Sequence, residues 1–98
     1  MRFSERVFGI VKRVPKCKVT TYGAIARRLD TSPRAVGQVL KRNKNPVVIP
    51  CHRVVCSDGS LGGYGGVVNS GRKAALLRKE GVEVKNNRID MERFGWRA

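Results

Sequence analysis

A Ser32-Pro33 step, preceded by the tight Asp30-Thr31 connection, cuts residues 21–42 into two short amphipathic stretches. No other feature restricts the fold as much. Thr20 or Thr21 can cap a helix running to about Leu29, with Tyr22, Ile25, Ala26 and Leu29 on one face. Ser32 then supplies a cap oxygen and Pro33 a pre-set first helical residue, which predicts a second helix to about Arg42. Val36, Val39 and Leu40 face inward. Two short helices joined this closely read as a helix-turn-helix. The outer face of the second carries Arg34, Gln38, Lys41 and Arg42, and its small neighbours Ala35 and Gly37 would let it approach a partner backbone closely. The plain alternative is a charged, solvated face.

Net charge weighs between the two. The 98 residues hold 21 Lys and Arg against 7 Asp and Glu, a net charge of +14. These charges are spread along the chain and form no polybasic tail. A folded domain this basic most often meets a phosphate backbone, although a ribosomal-type protein has the same composition. A chain of this length buries roughly 60–65% of its unfolded surface, enough for one modest core. Residues 1–98 are therefore expected to form a single domain. No segment is long or apolar enough to span a membrane, and none reads as a signal peptide. Three cysteines (Cys17, Cys51, Cys56) cannot form a complete disulfide framework, which points to a reducing, intracellular, cytoplasmic setting. Zinc would need Cys17, Cys51, His52 and Cys56 together, but Cys51 and His52 are adjacent and no C-x-x-C pair exists. No metal and no cofactor are expected.

The remaining elements are short. Ser4 looks like a helix cap, with Val7, Phe8, Val11 and Val14 at helical spacing until Pro15 stops the run. Cys17 to Thr20 leans towards β structure. From Cys51 the chain is expected to run extended to Val55, then turn at Ser57-Asp58-Gly59 and enter the loop Gly62-Gly63-Tyr64-Gly65-Gly66. That loop lacks the phosphate-binding pattern of nucleotide sites. Asn69 or Ser70 opens a last long helix through Ala74, Leu76 and Leu77 to Glu80, closed by Gly81. After Val82 come a brief strand, a turn at Asn86-Asn87, and an anchoring segment whose Ile89, Met91, Phe94 and Trp96 read as core cover. The sum is a mainly α, winged-helix-like DNA-binding domain with a helix-turn-helix and short β segments.

The chemistry concentrates in Ile49-Pro50-Cys51-His52-Arg53-Val54. It sets a nucleophile candidate beside the sole histidine, between the apolar runs Val47-Val48-Ile49 and Val54-Val55. An inert core cysteine is the plain alternative for Cys51. Neighbours in an extended segment point to opposite sides, so His52 would reach the sulfur through a bound water. A carboxylate would hold its other nitrogen. Among the acids Glu80 fits best, ending a helix that must pack on the core; the plain alternative is a surface glutamate. Cys17 and Cys56 lack such surroundings and read as structural.

Residues Asn43 to Val55, with Pro50-Cys51-His52-Arg53-Val54 at their centre, resemble the active-site signature of O6-alkylguanine-DNA alkyltransferases. Thr21-Tyr22-Gly23, Ser32-Pro33-Arg34-Ala35-Val36-Gly37, Gly63-Tyr64-Gly65-Gly66 and Leu76-Leu77-Arg78-Lys79-Glu80-Gly81 follow in the family's order. The resemblance implies a single-turnover methylated-DNA–protein-cysteine methyltransferase, acting as a monomer on double-stranded DNA that contains O6-alkylguanine. Cys51 would accept the alkyl group, His52 would activate it through water, Glu80 would orient His52, and Asn43 would brace the turn. Arg34 would fill the gap left by the extruded nucleotide, with Ala35 and Gly37 in the minor groove and Gln38 and Lys41 alongside. Tyr22 would help rotate the nucleotide out, Tyr64 would wall the pocket, and the Gly65 N–H would meet O6. The carbonyls of Cys51 and Val54 would meet the exocyclic amine. The chain departs from the family by starting at the catalytic domain without the usual N-terminal domain. It also has Gly65 where many relatives place Ser, and about two extra residues between Tyr64 and Leu76. A lesion-sensing relative that binds without reacting is the alternative, although such relatives replace the cysteine. A plain winged-helix regulator would prefer one operator sequence.

Overall fold

The computed structural model describes residues 2–43, 49–64, 67–68 and 71–96. Helix α1 spans Phe3–Arg13 and buries Val7, Ile10 and Val11. It starts one residue before the cap expected at Ser4. Arg2, extended at φ −70° and ψ 152°, takes the cap position without a side-chain bond. The earlier start gains the Arg6 N–H to Arg2 carbonyl bond at 3.2 Å.

Strand β1, Thr20–Thr21, leads directly into α2, Tyr22–Leu29, because the Thr21 hydroxyl accepts the Ala24 N–H at 2.9 Å. Asp30 stops that helix in the left-handed region at φ 55°. Ser32 accepts the Ala35 N–H at 3.2 Å and opens α3, Pro33–Lys41. The helix-turn-helix expected from the sequence is present, and α1 packs across it.

The segment after Pro50 differs from expectation. Cys51–Arg53 forms a 3-10 turn, and only β2, Val54–Val55, is extended. Pro50 sits at φ −76° and ψ 67°, the geometry of an inverse γ-turn, and the Cys51 N–H bonds the Ile49 carbonyl at 2.8 Å. The Arg53 N–H then bonds the Pro50 carbonyl at 3.0 Å. These local bonds outcompete an extended path. β2 pairs in parallel with β1, Thr20 opposite Val54 and Thr21 opposite Val55.

Gly63–Tyr64 is also not plain loop: it is strand β3, antiparallel to β4, Val67–Val68. Gly65 and Gly66 lie outside the described residues, as do Asn69 and Ser70, the expected opening of the next helix. That helix, α4, spans Gly71–Lys79. It ends in a Schellman arrangement: the Gly81 N–H bonds the Arg78 carbonyl at 3.0 Å and the Val82 N–H bonds the Leu77 carbonyl at 3.0 Å. Gly81 adopts φ +95°, which the closure requires.

No strand forms after Val82. Lys85 and Arg88 instead make a single bridge around Asn86 and Asn87, both left-handed at φ 51° and 61°, as a primed two-residue turn demands. The anchoring segment contains a short helix, α5, Met91–Phe94, capped by Asp90. The tail is stitched down on two sides. The Leu61 N–H bonds the Asn87 carbonyl (3.2 Å) and the Ile89 N–H bonds the Gly59 carbonyl (2.9 Å). The Val19 N–H bonds the Phe94 carbonyl (2.8 Å) and the Trp96 N–H bonds the Val19 carbonyl (2.7 Å).

Two apolar cores result where one was expected. The first gathers Val7, Ile10, Val11, Ile25, Ala26, Val36, Leu40 and Val54 under the three N-terminal helices. The second gathers Val19, Val55, Leu61, Leu77, Val82, Val84, Ile89 and Phe94. Val54 and Val55 are neighbours, yet strand alternation sends one into each core. The Cys51–Arg53 turn therefore lies on the seam. Among the described residues, no helix is long and apolar enough to cross a membrane.

Candidate functional site

The seam is held by three clamps. The first is Asn43, whose Nδ2 donates to the Ile49 carbonyl at 3.0 Å, the same oxygen that receives the Cys51 N–H. That bond fixes the γ-turn and with it the half-buried, free Cys51 thiol. Asn43 thus braces the turn.

The second clamp joins His52, Arg53 and Glu80. His52 is buried, and its Nε2 lies 3.0 Å from Glu80 Oε1. The approach has ion-pair length without hydrogen-bond alignment, and neither ring nitrogen is hydrogen-bonded among the described residues. Burial pushes the His52 pKa below its ordinary value; Glu80 opposes that shift, and the Arg53 and Lys73 charges reinforce it. The imidazole is therefore neutral at neutral pH and able to take a proton. Glu80 also receives a forked pair of bonds from Arg53, Nε to Oε1 at 2.9 Å and Nη2 to Oε2 at 2.5 Å. Burial raises the Glu80 pKa, but the bonds from Arg53 and the contact with His52 outweigh it and hold the group below the usual carboxylate range.

Arg53 received no role in the sequence reading. Its Nη1 also donates to the Val14 carbonyl at the end of α1, at 2.7 Å. It thus ties α1, the reactive turn and the end of α4 together. Its position between the buried His52 and Val54 was the available signal: an arginine there needs partners inside the protein.

The third clamp is Lys73, also missed. It is fully buried on α4, and its Nζ donates to the Val54 carbonyl at 2.5 Å. Burial lowers its pKa to about 8, while the nearby thiols of Cys56 and Cys51 pull the other way. Beside Arg72, Arg78 and Lys79 it looked like part of a solvated basic face. Its spacing from Leu77 and Glu80, four and seven residues on, puts it on the inner face instead.

Tyr22 completes the wall. Its ring centroid lies 5.6 Å from Lys73 Nζ. A Cβ on Gly37 would touch the ring at 4.0 Å, and one on Gly62 would lie 3.6 Å from it and 3.1 Å from Cys56 Sγ. Gly37 therefore faces Tyr22, inside the molecule. Cys56 belongs to the same wall, although the sequence gave it only a structural part. Burial, with the Cys56 and Cys51 charges, pushes the Tyr22 pKa up to about 12, so the phenol remains a donor. Val54 sends its side chain into the first core and turns its carbonyl to Lys73. The Cys51 carbonyl accepts the Val54 N–H. Tyr64 lies in β3, and Gly65 is outside the described residues.

On α3, Arg34, Gln38, Lys41 and Arg42 are exposed, and Ala35 and Gly37 are half-buried. Among the described residues, no group of three or more His, Cys, Asp or Glu side chains gathers in a way that could hold a metal ion.

Fold and site together define a helix-turn-helix domain that carries a braced cysteine–histidine turn on the edge between its two cores. The chain belongs to the 6-O-methylguanine DNA methyltransferase family: that family's DNA-binding-domain model matches residues 2–82. A methylated-DNA–protein-cysteine methyltransferase of Methanocaldococcus jannaschii is 58% identical over 82 residues, 84% of this chain and 47% of that protein. The crystal structure of Schizosaccharomyces pombe Atl1 with damaged DNA containing O6-carboxymethylguanine (named there S. pombe) superposes with a TM-score of 0.87 at 30% identity, over 100% of both chains. The O6-methylguanine-DNA methyltransferase of Pyrococcus kodakaraensis gives 0.73 at 46% identity, over 84% of this chain and 47% of that one. The chain spans about half the length of the methyltransferases it matches.

Proposed function

We propose that this chain is the catalytic region of a DNA-repair alkyltransferase that moves the alkyl group of O6-alkylguanine in duplex DNA onto its own Cys51. The observation that carries the reading is the braced turn itself: a thiol fixed by Asn43, beside a neutral His52 backed by Glu80. The exposed cationic face of α3 lies in the same small domain, and the named relatives act on or bind alkylated DNA.

The steps follow from that geometry. Lys and Arg contacts to phosphate give binding that is largely independent of sequence, as lesion search requires. A base inside the stack cannot present its O6-alkyl carbon in line with a sulfur, so the nucleotide must leave the duplex. Arg34 fills the gap, flanked by Ala35, Gly37, Gln38 and Lys41 along the minor groove. Eversion costs a few kcal/mol, which insertion and phosphate contacts offset. The base then lies against Tyr22, Val54, Tyr64 and Gly65. His52 takes the Cys51 proton through a water, sulfur attacks the alkyl carbon, and the carbon–O6 bond breaks with its electron pair left on guanine. A thioether is not reversed by cellular reductants, so each molecule acts once. We read the chain as one domain, monomeric, working inside the cell where its thiols stay reduced.

Duplex bearing labelled O6-methylguanine should transfer one label per protein, recovered on the Cys51 peptide. Cys51→Ala protein should take up none; label on that variant would refute the reading. Full-length coverage of the Atl1 structure favours a second reading, recognition of the lesion without reaction. Retention of Cys51 weighs against it, and tight binding with no gain in protein mass would establish it.

A further inference from the structure

Lys73 has no part in the steps above, yet it is the most deeply buried charged side chain among the described residues. An ammonium inside a protein is expensive, and an apolar side chain of similar shape usually serves the fold as well or better. The groups around Lys73 all belong to the pocket. Its Nζ is bonded to the Val54 carbonyl and lies 5.6 Å from the centre of the Tyr22 ring. Its charge acts on Cys51, Cys56 and His52.

We propose that Lys73 is a positioning residue for alkyl transfer, whose ammonium, held on the Val54 carbonyl beside Tyr22, offsets the negative charge that transfer leaves on the departing guanine. This rests on the transfer reading. Thiol and base both start neutral. As the thiol proton passes to His52, the sulfur–carbon bond forms and the carbon–O6 bond breaks. One negative charge spreads from sulfur across to O6 and the ring, and ends on guanine until a proton arrives from solvent or a pocket hydroxyl. A cation already fixed in the wall stabilises that charge without rearranging. With a pKa near 8, Lys73 is mostly charged at neutral pH.

The test uses free O6-benzylguanines whose C8 substituents alter the acidity of the leaving guanine, in single-turnover transfer to the whole chain. Lys73→Met should keep a thermal midpoint at or above wild type and react about tenfold or more slowly. The loss should be greatest for the least acidic leaving guanine, so that rate depends more steeply on acidity. Lys73→Arg should recover most of the rate. Wild-type protein gives a second reading without any substitution: its dependence on leaving-group acidity should steepen above about pH 8 as Lys73 loses its proton. Ionisation of Cys51, Cys56, Tyr22 or His52, the titratable groups facing Lys73, would scale all analogues alike. An unchanged acidity dependence in Lys73→Met, and in wild type across that pH, overturns the inference. So does a rate loss that merely follows a falling midpoint. If wild type transfers from neither the analogues nor alkylated duplex, the transfer reading fails first.

Discussion

The first core and the second core are assembled from different kinds of chain. In the first, Val7, Ile10 and Val11 on α1 meet Ile25 and Ala26 on α2 and Val36 and Leu40 on α3. All but Val54 come from the first 40 residues, on helices whose ends are capped locally. In the second, Val19 meets Val55, Leu61, Leu77, Val82, Ile89 and Phe94, single residues from segments far apart in the chain. Backbone bonds between those segments, such as Val19 to Phe94 and Ile89 to Gly59, take the place of regular elements. The helical half thus presents an exposed cationic surface on a self-sufficient frame. The other half exists to back the reactive turn, and it depends on long-range closure.

Arg53 is where the halves are joined, and removing it is the largest test of the comparison. Arg53→Met would leave Glu80 without its fork and the Val14 carbonyl without its donor. Breaking a pair this buried should cost about 3 kcal/mol, read as a lower urea midpoint. If the two halves are coupled only through this seam, unfolding should also lose cooperativity, with helix signal outlasting Trp96 fluorescence. A loss below about 1 kcal/mol with one sharp transition would mean that Val54 and Val55 alone hold the halves together.

Local chemistry explains which parts were legible in the sequence. Thr21, Ser32-Pro33, Asp30 and Gly81 act within four residues of themselves, so helix limits could be read from them. The pairing of His52 with Glu80 was inferred from the need to pack a helix end, and the two groups do meet. Lys73 and Arg53 were not legible because their partners, the Val54 carbonyl and Glu80, lie 19 and 27 residues away. Nothing in a basic run tells a buried lysine from a solvated one until the fold supplies its acceptor. The extended reading of Cys51 to Val55 failed for a smaller reason: Pro50 closes a γ-turn that period-two reasoning does not consider.

A milder substitution checks the claim that the first half is locally determined. Thr21→Ala removes the hydroxyl that receives the Ala24 N–H, and should cost about 1 kcal/mol of stability. Because the cap acts only on its own helix, Thr21→Ala and Arg53→Met should add in the double variant within about 0.5 kcal/mol. Strong coupling between them would show that the helical frame leans on the seam after all.

The smallest expected effect lies in the pH dependence of stability, where the seam leaves its own trace. Burial sets the folded His52 pKa below its ordinary 6.5, so the unfolded chain binds a proton that the fold resists. Above 6.5 neither state is protonated and His52 contributes no slope. As the pH falls from 6.5 to the lowered folded value, the unfolded state gains protons first and stability declines. Glu80 acts in a separate, lower window. Its folded pKa lies below the ordinary 4.5, so its contribution is complete above 4.5 and lost as pH drops through the folded value. Urea midpoints taken stepwise down from neutral pH should therefore begin to fall just under 6.5, and His52→Gln should remove that first decline while keeping the one below 4.5. A wild-type midpoint that stays flat until 4.5 would mean His52 is protonated as easily in the fold as outside it. It would then be an imidazolium paired with Glu80 in mildly acidic solution, and a poor acceptor for the Cys51 proton there.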